Sequence, residues 1–167
     1  MTGALAVDLD GALGSTRPLW DAFLDDAARR FRSIAELDTA SLPRDRAQAA
    51  VLLDEWASAG VGDWRGSLER FAEDHAPVYL RPSPGASGAV RGLVASGARV
   101  GVFTDAPAEL ARVALAHLGL AGRIETLEAG VGALDRVRAV LGDDVPVVRS
   151  AADLATITAG GEQAGTR

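Results

Sequence analysis

The chain has 167 residues, 48% of them hydrophobic and 24% charged, with a net charge of −6. That length suits one domain, or a core plus a small insertion, and the apolar share suits a packed core rather than disorder. The acidic balance argues against a nucleic-acid partner, the absence of cysteine excludes disulfides and thiolate catalysis, and no apolar run reaches the ~18 residues a membrane helix needs.

The opening MTGALAVDLDG has no basic segment before its apolar run, so it does not read as a signal peptide, and a cytoplasmic protein is expected. Ala4–Val7 is short, β-capable and closed by Asp8-Leu9-Asp10-Gly11, which predicts a buried strand feeding a loop. From Pro18 to about residue 32 the apolar residues Leu19, Trp20, Phe23, Leu24, Ala27 and Phe31 recur at helical spacing. Ser41-Leu42-Pro43 breaks the chain, a second helix is expected over about 44–59, and Asp63 caps a third carrying Trp64, Leu68 and Phe71. After Arg81-Pro82-Ser83-Pro84-Gly85 the pattern alternates. A helix over 86–96 leads to a strand from Arg99 to Phe103 that ends at Thr104-Asp105. A helix over 107–117 is followed by a strand over 124–127, a helix over 134–141, a strand over 145–148 and a helix over 151–158. The tail AGGEQAGTR reads as frayed.

Alternating strands and helices imply a parallel sheet, whose ligands bind beyond the carboxyl ends of the strands. Asp8, Asp10, Thr104, Asp105, Arg149 and Ser150 all fall at such ends. Taken alone, Asp-x-Asp-Gly is equally an acidic turn with glycine supplying a positive φ. All 17 basic residues are arginine, so chemistry that needs a lysine ammonium is excluded.

The motif Asp8-Leu9-Asp10-Gly11, a helical insertion after it, and a later strand ending in Val-Phe-Thr-Asp together resemble the haloacid dehalogenase superfamily. The similarity is to its phosphoglycolate-phosphatase-like branch, which has a helical cap. It covers roughly residues 4–159, strongest in the first two motifs and weak after Gly130. It implies an α/β, Rossmann-like three-layer core with a parallel sheet, formed by residues 1–14 and 82–167, and a small all-helical cap, 15–81, inserted after the first strand.

The resemblance also implies roles. Asp8 would attack phosphorus and form an aspartyl-phosphate; Asp10 would act as general acid, then base. The Thr104 hydroxyl would hold a phosphoryl oxygen, with Gly11, Asp105 and Arg149 completing substrate binding. Magnesium would sit on Asp8, Asp10 through its carbonyl, and the fourth-motif acid Asp153. The partner would be a small phosphorylated or anionic molecule, with no nucleic acid and no membrane.

The chain departs from that pattern in several places. The third motif's lysine is missing: Gly132-Ala133 stand where it is usual, and Arg136 and Arg138 fall on the outward side of the helix. In the fourth motif Ser150 and Asp153 fit, but Arg149 replaces the metal carboxylate, a change of two charge units. Ala12 replaces the usual threonine and Ser15 the frequent second acid. Arg149 can pair with Asp8 where the ion would lie, or point to solvent. A second alignment takes Gly142-Asp143-Asp144 as the fourth motif, although these read better as a polar turn before a strand. Arg17 reaches a substrate anion or is solvated; Asp105 supports Thr104 or begins a turn. His75 is expected at the surface, His117 at a helix end, and Trp20, Trp56 and Trp64 in the cap's own core. Two functions remain open: a magnesium-dependent phosphatase with an impaired site, or a non-catalytic protein of the same fold that binds an anion or partner protein.

Overall fold

The computed structural model describes residues 3–34 and 38–164, with side chains as far as Ala159. The start of the opening segment and the last three residues of the tail lie outside the described residues.

Strand β1, Ala4–Asp8, is the first described element and leads into a turn, Leu9–Leu13, whose backbone is not helical at Asp10 and Gly11. A two-residue strand, β2 at Gly14–Ser15, pairs antiparallel with β3 at Arg81–Pro82. Between them, among the described residues, lie three α-helices, α1 (Arg17–Ile34), α2 (Arg46–Trp56) and α3 (Trp64–Tyr79). After β3 come α4 (Ala86–Ala95), β4 (Arg99–Thr104), α5 (Ala108–His117), β5 (Thr126–Ala129), α6 (Ala133–Leu141), β6 (Val147–Val148) and α7 (Ala151–Ala164).

The main sheet is parallel, in the order β5-β4-β1-β6. Its register sets Asp8 beside Phe103 and Val7 beside Val148, so β1, β4 and β6 end together and release Asp8, Thr104 and Arg149 at one edge. Period-two alternation divides the strands between two apolar clusters. Ala6 and Phe103 pack with Ala133, Val137 and Leu141 of α6 on one face. Leu5, Val7, Val100 and Val102 join the larger cluster, which runs through α1, α3, α4, α5 and α7. Gly101 is what lets α6 lie this close: a Cβ there would come within 2.8 Å of Val137 and 2.9 Å of Leu141.

The expected three-layer α/β architecture with a parallel four-stranded sheet is the one observed, and most boundaries agree within two residues. Asp63 caps α3, accepting a hydrogen bond from the Gly66 amide, as expected. Helix α2 begins at Arg46 rather than 44, because the Asp45 carboxylate caps it through the Gln48 amide. Strand β5 begins at Thr126 rather than 124, in register with Gly101–Thr104. Strand β6 is shorter than expected, since Pro146 has no N–H to give and contributes only its carbonyl, to the Ala6 amide. The tail is the clearest difference. Helix α7 continues to Ala164, through Gly160 and Gly161, rather than fraying after Thr158. The pair β2–β3 was not foreseen, being two residues long on each side.

Trp20, Trp56 and Trp64 are buried as expected. Trp20 lies against Trp64 and Phe23, and Phe31 meets Trp56 edge-on. His117 ends α5 and is exposed, while His75 is only half-exposed, stacked on Phe71 with Nδ1 2.9 Å from the Phe71 carbonyl oxygen. Among the described residues, no helix is long and apolar enough to cross a membrane.

Candidate active site

The loops leaving β1 and β4 face one cleft of about 380 Å³, lined by Asp8, Asp10, Arg17, Thr104, Asp105 and Arg149 among others. The start of α6, Gly132 to Leu134, forms another wall, where the family's lysine would be expected. The turn after β1 is tight enough to need its glycine. Gly11 has φ +141°, and a Cβ on it would collide with the Arg149 carbonyl oxygen. Gly11 is thus fixed by close approach to the Arg149 backbone and is not among the residues lining the cleft.

Asp8 ends β1 and is mostly buried; its Oδ1 accepts from the Asp10 amide at 3.1 Å. Burial, then the neighbouring Asp10 charge, pushes its carboxyl up to about 6 from the ordinary 3.8, and Arg149 opposes this only in part. The Arg149 guanidinium is 3.8 Å from Asp8 Oδ2 and 5.3 Å from the centre of the Phe103 ring, and it is 61% exposed. Both readings of Arg149 are thus partly met: it faces Asp8, yet solvent still reaches it.

Asp10 is held differently. Its Oδ1 accepts from the Thr16 amide at 2.6 Å and the Thr16 hydroxyl at 2.8 Å. Its Oδ2 accepts from Arg46 Nη1 at 2.7 Å, Thr104 Oγ1 at 3.0 Å and the Thr16 hydroxyl at 2.9 Å. Burial works against its charge, but the Arg46 guanidinium and the Thr16 and Arg46 hydrogen bonds outweigh it and hold the carboxyl below the usual range. Thr104, carried by β4, thereby meets Asp10 across 94 positions of sequence. Thr104 Oγ1 also accepts from the Ala106 amide, which fixes the turn into α5.

Asp105 serves the turn, and its carboxylate goes to two arginines rather than to Thr104. It lies in the turn before α5, and it accepts from Arg46 Nη1 at 3.0 Å and Arg17 Nη2 at 3.4 Å. Arg17 lines the cleft but remains 58% exposed.

Arg46 and Thr16 were not anticipated. Arg46 opens α2, 36 residues after Asp10, in a segment with no motif, and only its buried side chain marks it. Thr16 offered a signal: a hydroxyl residue directly before a helix start is a capping pattern, here turned onto a carboxylate instead.

The fourth-motif question is decided by topology. Strand β6 lies beside β1 and delivers Arg149 at the cleft, whereas Asp143 and Asp144 sit exposed in the turn entering β6. Asp153 is exposed in the first turn of α7 and does not line the cleft. Arg136 is turned away as expected, paired with Glu128 at 2.9 Å; Arg138 lies 3.7 Å from Asp135.

These donors do not fit a magnesium ion in the family's arrangement. The cleft offers Asp8 with a guanidinium 3.8 Å away, and Asp153 stands outside it. Among the described residues, no group of three or more His, Asp or Glu is arranged to hold a metal. At about 4 Å and an effective dielectric near 20, each unit charge pair is worth roughly 4 kcal/mol, so a cation in place of a ligating anion lowers divalent affinity by orders of magnitude.

No family model matches the sequence. A phosphoglycolate phosphatase from Rhodospirillum rubrum is 35% identical over 144 residues, 78% of this chain. The chain spans 59% of that enzyme's length. The structure of a protein from Thermotoga maritima assigned as a β-phosphoglucomutase superposes with a TM-score of 0.53 at 17% identity, over 95% of this chain and 82% of that one. CbbY from Rhodobacter sphaeroides, solved with phosphate, superposes with a TM-score of 0.52 at 17% identity, over 78% and 64% of the two chains.

Proposed function

Because the chain belongs to the haloacid dehalogenase superfamily, on its phosphoglycolate-phosphatase-like branch, we propose that its cleft takes the phosphoryl group of a small phosphorylated metabolite and hydrolyses it through Asp8. Residues 1–14 and 82–167 are then the catalytic body and residues 15–81 the cap. One observation carries this reading: the Thr104 hydroxyl and the Asp8–Asp10 turn, far apart in sequence, share one anion-sized hollow.

In the proposed reaction an Asp8 oxygen bonds to phosphorus as the bond to the leaving oxygen breaks. Water then attacks phosphorus, the Asp8–phosphorus linkage breaks, and inorganic phosphate departs. The leaving group departs as its anion in the first step, and the proton released by the attacking water in the second goes to solvent, so that ester and water give inorganic phosphate and the free leaving group. Arg149 binds phosphoryl oxygens, and Thr104 joins it only once its hydroxyl hydrogen leaves Asp10 Oδ2. Three guanidinium groups, Arg17, Arg46 and Arg149, balance Asp8, Asp10 and Asp105 around the site. Magnesium takes no step, since Arg149 stands where its fourth-motif carboxylate would.

The anionic, fully engaged Asp10 has no proton to give in the first step. Hydrolysis is therefore expected to favour substrates whose leaving group departs unprotonated. Acetyl phosphate and p-nitrophenyl phosphate should turn over, with phenyl phosphate slower by about 10²-fold or more, the usual worth of a general acid. Asp8→Asn should abolish turnover, and chelator should leave it unchanged. Arg149→Asp should introduce magnesium dependence. Retained turnover in Asp8→Asn would reject the mechanism.

Arg149 in place of the metal carboxylate favours a second reading, a non-catalytic anion-binding protein. It is supported if the native protein turns over neither ester yet binds inorganic phosphate, with binding lost in Arg149→Ala.

A further inference from the structure

Among the described residues, Arg46 is the one strongly buried guanidinium on a helix of the inserted segment, 2% exposed. It does not line the cleft. Its donors instead meet Asp10 Oδ2 at 2.7 Å, Asp105 Oδ1 at 3.0 Å and the Thr16 hydroxyl at 2.8 Å. Its Nε is buried and, among the described residues, has no hydrogen-bond partner. Stability alone is a poor reason for such a group, since an apolar chain of similar volume commonly serves a buried position as well or better. What an apolar chain could not do is fix a carboxylate's direction.

We infer that Arg46 is a positioning residue: it clamps the Asp10 carboxylate against Thr16 and Thr104, and by gripping Asp105 with the same Nη1 it locks the start of α2 to both catalytic loops. Each Asp10 oxygen already accepts at least two protein donors, so no oxygen is left without a donor to meet a substrate's leaving atom. Asp10 becomes available only when the clamp lets go. The inference rests on the reading of Asp10 as the acid–base group only for its kinetic consequence; the clamp itself is geometric.

The Thr16 amide reports on the clamp directly, because it donates to Asp10 Oδ1. Hydrogen exchange measured by NMR on Arg46→Met should show the Thr16 amide exchanging faster by about tenfold or more, while the β1 and β4 amides of Val7 and Val102 keep their protection. Unchanged Thr16 protection with those strands intact overturns the inference. If Arg46→Met also releases the strand amides, Arg46→Gln is read instead. It keeps a polar group in the buried position without a cation that spans Asp10 and Asp105, so it should free the Thr16 amide selectively; no change there overturns the inference equally. The second measurement is the ratio of phenyl phosphate to p-nitrophenyl phosphate turnover, which should rise several-fold in Arg46→Met as Asp10 is released. A freed Thr16 amide without a change in that ratio leaves the clamp standing and refutes the acid–base role of Asp10.

Discussion

At the scale of single residues, the two aspartates of one turn are driven to opposite protonation behaviour. Asp8, pushed up to about 6 by burial and by Asp10, must be ionised to attack. Turnover on an activated phosphate ester should therefore climb about tenfold per pH unit below 6 and level off above it; a flat profile between pH 5 and 7 would remove Asp8 from the nucleophile's role. The same shift has a cost for the fold. Between 3.8 and about 6 the folded chain binds more protons at Asp8 than the unfolded chain does, so stability falls as pH rises through that window. Above it the full penalty stands, about 3 kcal/mol. Asn at position 8 keeps an oxygen for the Asp10 amide and carries no charge. Asp8→Asn should thus be more stable than the native protein at pH 7.5 in urea titrations, by about 1–3 kcal/mol, with the gain vanishing below pH 4. Asp8, Asp10 and Thr104 were legible because they close predicted strands and match the first two motifs of the family the chain resembles. Arg46 was not, because a buried cation on a helix leaves no periodic trace; its partner is chosen by tertiary packing.

Among the elements, α6 shows how a single absent side chain sets the cleft wall. It approaches β4 over Gly101, and its first residues, Ala133 and Leu134, border the cleft. Gly101→Val would drive a branched side chain into Val137 and Leu141. Overpacking of this kind costs about 1–3 kcal/mol, read as a lower urea midpoint, and it should raise KM for phosphate esters by displacing the wall. Unchanged stability and KM would mean that α6 tolerates the shift freely. The alternation of strand and helix predicted these elements well. Their ends were less readable where pairing decides: β5 starts two residues late to match β4, and β6 yields its first positions to Pro146. The second alignment, with Gly142-Asp143-Asp144 as the fourth motif, needs a strand over 139–141, and those residues instead end helix α6, while β6 pairs with β1 and leads to Arg149.

For the molecule as a whole, the sequence divides the chain into a helical block and an alternating block, but it does not say how firmly they adhere. An amphipathic helix declares that one face is covered and leaves the covering element unnamed. Here α3 packs on α5, and one continuous apolar cluster joins Leu68, Ala72 and Ala76 to Leu110, Ala111 and Ala114. Ion pairs Arg65–Glu109 and Arg112–Glu69, at 3.7 Å each, span the same two helices. Such half-exposed pairs add little, so the apolar contact dominates. A segment joined in this way cannot melt separately, because its loss would strip the face of α5. Leu68 is fully buried in the shared cluster, and Leu68→Ala should cost about 2–5 kcal/mol. That corresponds to a Tm lower by about 5–15 °C for a chain of this size. Calorimetry should record one transition in both proteins, with calorimetric and van't Hoff enthalpies equal. A separate low-temperature transition in Leu68→Ala, with the aromatic signal of Trp20, Trp56 and Trp64 lost first, would show instead that the helical block unfolds on its own and that the cleft is gated by its detachment.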